Sequence, residues 1–298
     1  MRYLRIITSV FLLSAFTLTT LSRPVTRDDD KQEETKLTAE EKREAREFIE
    51  TFRKRFEETD DYTTLSKEFY VKDFLMRLRA SDEDFVFTKI SDELKTKMSD
   101  AEFLEMYFAS SRFMYFSSLI YCSKLITKAE SNKRSIEDEI EDEDEEDINL
   151  GEVIPPDVIA LIEKNLYLSR AWADVIAESK GTKKETSDDD EEMNSHEELQ
   201  SVTSFFKEAI PLMRKSLESQ PEPHSWQGIM DKTHTIFQKN EEANNEDILN
   251  PHLTILRYEF FGMPEGTRLI CVDLLPFHVD LIRVEGKLKV LHLYFAGD

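Results

Sequence analysis

His278, Asp280, His292 and Tyr294 place two imidazoles, a carboxylate and a phenol close together near the end of the chain. His278 and Asp280 are two residues apart, as are His292 and Tyr294, so in extended strands each pair shares one face. A carboxylate beside an imidazole fixes its tautomer and favours its protonated form, the arrangement used in general-base catalysis and in metal ligation. The metal that such a group would take is not specified by these residues. Whether all four share one face depends on the turn at Glu285, Gly286 and Lys287. A three-residue turn pairs Val284 with Leu288, which sets Asp280 opposite His292 and His278 opposite Tyr294. It also gathers Phe277, Val279 and Leu281 against Leu291, Leu293 and Phe295 on the other face, and that segregation selects it. A two-residue turn at Glu285–Gly286 shifts the pairing by one, puts His292 opposite Val279 and disperses the cluster. The plainer account is a hydrated sheet face, on which His278 and Asp280 are merely solvated.

Other chemical patterns fail on inspection. His196–Glu197 begins an H-E-x-x-H motif, but the second ligand position holds Gln200. Ser204 and Lys207 fit S-x-x-K without the K-T-G and S-D-N elements that accompany it. An EF-hand loop starting at Asp142 would need Gly at its sixth position and Glu at its twelfth, where Asp147 and Val153 stand. His224 and His234 have no metal-ligand spacing between them. Seven glycines in 298 residues leave no phosphate loop, dinucleotide fingerprint or nucleophile elbow. The pattern implies no cofactor. Cys122 and Cys271 could close one long-loop disulfide, or each could rest as a buried thiol among apolar neighbours.

The elements that must position these groups are mostly helices. Capping boxes at Thr38/Glu41, Ser99/Glu102 and Ser195/Glu198 open three of them. In the first, Ala45, Phe48, Ile49, Phe52 and Phe56 recur on one face; in the second, apolar residues nearly circle the helix from Phe113 to Ile126, which predicts a central element. Further helices are expected over about 65–79, from Pro155–Pro156 to a stop at Gly181, and over a short piece of 225–238, with Pro211 bending the Ser195 helix. Beyond that the texture is extended: runs at 252–261, 267–275, 277–284 and 288–295, separated by turn residues, predict an antiparallel meander of about four strands. The fold class is therefore α+β, a helix-rich N-terminal body followed by a C-terminal sheet.

Residues 1–22 read as a signal peptide, with Arg2 and Arg5 before an apolar run from Ile6 to Leu21 that is short for a permanent anchor. A flexible charged leader is expected at 23–37, then a single domain over 38–298 with acidic loops at 128–152 and 181–194. In the first loop ten of the eleven residues from Glu137 to Asp147 are acidic, a density that resists packing. The formal charge of −23 opposes phosphate backbones and anionic lipid, so neither nucleic acid nor, after signal cleavage, membrane insertion is expected. The combined reading is an exported, periplasmic or extracellular, non-enzymatic binding or interaction protein for an unknown protein or small-molecule ligand. The alternative is a secreted hydrolase or metal-dependent enzyme using His278, Asp280, His292 and Tyr294. Oligomeric state has no sequence signal.

Overall fold

The computed structural model describes residues 37–80, 89–132, 153–182, 192–220, 225–229, 232, 252–258, 267–274 and 277–295. The signal peptide, the leader up to residue 36 and most of both acidic loops lie outside the described residues. The architecture is α+β. In chain order the helices are α1 (Ala39–Glu58), α2 (Tyr62–Phe69), α3 (Phe74–Ala80), α4 (Asp92–Lys97), α5 (Asp100–Asn132), α6 (Pro156–Lys164), α7 (Leu166–Ala171), α8 (Ala173–Ser179) and α9 (His196–Glu218). A short parallel pair, β1 (Lys89–Ile90) with β2 (Glu192–Met193), falls among them. The C-terminal sheet is an antiparallel meander of β3 (His252–Tyr258), β4 (Thr267–Leu274), β5 (Phe277–Val284) and β6 (Lys287–Phe295), in that spatial order.

All three capping boxes form. Thr38 N donates to Glu41 Oε2 at 2.8 Å while Glu41 N donates back to Thr38 Oγ1 at 3.2 Å. The same exchange joins Ser99 with Glu102 and Ser195 with Glu198. Each satisfies two backbone donors that a helix start would otherwise leave unpaired.

Two continuous helices expected from periodicity are broken. The run over 65–79 splits because Tyr70 and Val71 leave the helix to join β6: Tyr70 bridges Val290 in parallel, and Val71 N donates to Val290 O at 3.0 Å. The run after Pro155 splits into three at Asn165 and Trp172. Asn165 is extended at φ −88° and ψ 114°, and its side chain accepts from Leu168 N, so it restarts the chain as a cap instead of continuing it. Gly181 ends the last piece at φ +66°, with Thr182 N returning to Ala177 O at 2.8 Å. Pro211 sits inside a helix that continues to Glu218. Of the piece expected at 225–238, a helical turn at 226–229 and residue 232 are described.

The chain divides into two compact units, Met1–Arg55 with Phe69–Val71 and Asn244–Asp298, and Phe56–Glu68 with Lys72–Ala243. The second is built on α5, in which every residue from Met106 to Ser123 is buried. Phe113 meets Phe205 and Phe206 of α9 and Trp172 at centroid distances of 5.5 to 5.8 Å, giving the helix an aromatic surround. Two of its buried serines turn their hydroxyls back to the helix itself, Ser110 to Tyr107 O and Ser117 to Phe113 O, both at 3.0 Å. Arg112 of α5 and Arg214 of α9 donate to carbonyls at and just past the end of α1, Thr59 O and Glu57 O. Carbonyls at a helix C-terminus lack intrahelical donors, so these two cations complete the end of α1 and complement its dipole. Among the described residues no helix is long and apolar enough to cross a membrane.

In the first unit the sheet presents Ile270, Val272, Val279, Leu281, Val290 and Leu293 on one face, all buried. Arg268 and Arg283 belong to that face by strand alternation and each grips α1 with two guanidinium nitrogens. Arg268 holds Glu41, with Nη1 at 2.6 Å from Oε1, and Arg283 holds Glu44, with Nη2 at 2.5 Å from Oε2. Helix α1 therefore covers the apolar side, with Ala45, Ile49 and Phe52 buried beneath it. The opposite face carries the candidate site.

Candidate functional site

The turn between β5 and β6 has two residues, Glu285 and Gly286, and Val284 pairs with Lys287. Both turn residues have positive φ, 50° and 79°, the backbone of a type I′ hairpin whose twist matches that of the strands. This corrects the three-residue turn. By alternation alone the shorter turn would leave His292 opposite Val279. The pairing nevertheless shifts between Asp280 and Leu281, because β6 carries one extra residue at that point. Leu281 pairs with Val290, Asp280 pairs with His292, and Leu291 is the bulged residue between them. Leu281 therefore has Val290 as its neighbour, not Leu291. Beyond the bulge Asp280 faces His292 and His278 faces Tyr294 across the ladder, the pairing that the longer turn would have produced.

The same register extends to the neighbouring strands and defines two rows on one sheet face. One runs Thr254, Cys271, Asp280, His292, and the other His252, Asp273, His278, Tyr294. The backbones of all eight residues are described, whereas the side chains of Thr254, His252, Asp273, His278 and Tyr294 lie outside the description. Of the rest, Asp280 is 3 % exposed, which overturns the solvated reading for this residue, and Cys271 is 5 % exposed. Cys271 Sγ donates to Asp280 Oδ1 at 2.7 Å, and His292 is half-buried.

A thiol that donates to a carboxylate is held in its protonated form, since a thiolate there would set like charges side by side. A nucleophilic cysteine requires the reverse, a cationic neighbour or a helix N-terminus. Cys271 thus serves Asp280 as a hydrogen-bond donor, and a buried carboxylate needs such donors. Sequence reasoning left Cys271 either a disulfide with Cys122 or a place as a buried thiol, and gave it no part beside Asp280. In the structure both are buried thiols with no disulfide between them, and they belong to different units, Cys122 sitting in the fully buried stretch of α5. Burial pushes the Cys122 thiol up to about 12. The signal that could have found the role of Cys271 is its place nine residues before Asp280, with Pro276 marking the turn between their strands.

Among the described side chains no group of three or more His, Cys, Asp and Glu could hold a metal ion. Cys271, Asp280 and His292 are described, so the row they occupy does not form such a group by itself. His196 lies at the start of α9, with Nδ1 3.9 Å from Glu102 Oε1, far in sequence from the other histidines. Compared with protein-family models, curated proteins and solved structures, the chain has no significant match to any of the three.

Proposed function

We propose that the protein is an exported, non-enzymatic binding or interaction protein. The observation that carries this reading is the state of Asp280, the carboxylate on which general-base chemistry would depend. It is buried at 3 % exposure and accepts a hydrogen bond from a thiol, so it is engaged within the sheet instead of being presented to a substrate. The lack of a nucleophile elbow, phosphate loop or dinucleotide fingerprint agrees with it. Export is supported by the basic start and apolar run of residues 1–22.

The test has two parts. Purified protein and its His292→Ala variant are assayed on ester, phosphoester and peptide model substrates, with no turnover expected from either. Turnover by the wild type that His292→Ala abolishes would replace this reading with the hydrolase. Mass spectrometry of the N-terminus after expression in a secreting host is expected to find the first twenty or so residues removed. A retained segment on membrane-bound protein would overturn the export of a free chain.

A further inference from the structure

We draw no further inference here: the strongest candidate, the outer edge of β3, which runs against β4 without a bulge and is paired by no other strand among the described residues, carries none because nothing in the structure shows what covers it.

Discussion

Asp280 illustrates how a residue chosen for its chemistry can acquire a structural task. Its carboxylate is buried on a sheet, and the thiol of Cys271 is one of its donors. Cys271→Ala removes that donor and leaves the buried carboxyl in place, so it is expected to cost about 1 to 3 kcal/mol in urea unfolding. A double-mutant cycle with Asp280→Asn should return a coupling energy of about 1 kcal/mol or more; additivity would mean that the hydrogen bond contributes nothing. Cys122 differs in kind. Its thiol is raised by burial to about 12, which leaves almost no thiolate near neutral pH. Native protein is expected to show neither cysteine to a thiol reagent, and unfolded protein both. A rapid one-equivalent reaction before unfolding would contradict the burial of one of them. At this scale the sequence identified the chemical groups and missed their state, since burial and hydrogen bonding of Asp280 depend on what lies across three strands.

At the scale of elements, the three capping boxes and the four C-terminal strands were legible because each is written in residues a few positions apart. The breaks at Tyr70 and Asn165 were not. Phe69, Tyr70, Phe74 and Leu78 keep helical periodicity through the first break, and only a long-range partner, Val290, draws Tyr70 and Val71 out of it. The parallel pair of Lys89–Ile90 with Glu192–Met193 went unseen for the same reason, being two residues long and about a hundred apart in sequence. The β5–β6 turn gives a direct test. Gly286 has φ 79° and no atom within 4 Å of the position a Cβ would occupy, so Gly286→Ala costs only backbone conformation, about 1 kcal/mol. Glu285→Asn, better suited to its positive φ, should stabilise by a few tenths of that order. Arg112 gives another. It is 3 % exposed, donates to Thr59 O and to Asp60 Oδ1 at 3.1 Å, and lies 5.2 Å from the Tyr62 ring centre. Arg112→Lys should destabilise by about 2 kcal/mol, because an ammonium cannot supply the same fork of donors. A midpoint equal to that of the wild type would remove this capping role.

For the whole molecule, acid is the condition to vary. Glu44 is held below its ordinary 4.5 by the side-chain hydrogen bond from Arg283, and Glu41 is lowered by the backbone N–H of Thr38, with its hydroxyl and Arg268 adding to the effect. Glu102 is lowered by the hydroxyl and backbone of Ser99, and Asp73 by Arg77. Each folded value is depressed, so the stabilisation is complete above the unfolded value and is lost as pH falls through the folded one. Stability should thus be flat near neutrality and decline below about pH 4.5. The Arg–Glu pairs are substantially exposed, so Glu44→Gln should change stability at neutral pH by less than about 1 kcal/mol, and by less still in concentrated salt. Equal stability at neutral pH and at about pH 3 would contradict the shared direction of these shifts. The α+β class was legible from the order of periodicities along the chain, helical first and extended last. The division into two units was not, since it joins the start of α1 to strands more than two hundred residues away.

The extra residue in β6 makes the last hairpin a compensated frame. A tight turn one residue short and a bulge one residue long cancel, so the ladder beyond Leu291 keeps the phase of an unbulged hairpin with a longer turn. Pairing at the far end therefore depends on the total residue count, not on where the additional residue sits. Inserting one residue after Gly286 while deleting Leu291 should leave Asp280 opposite His292, whereas either change alone should throw the distal pairs out of phase. Length is interchangeable between the two places, and the hairpin stores its alignment as a sum.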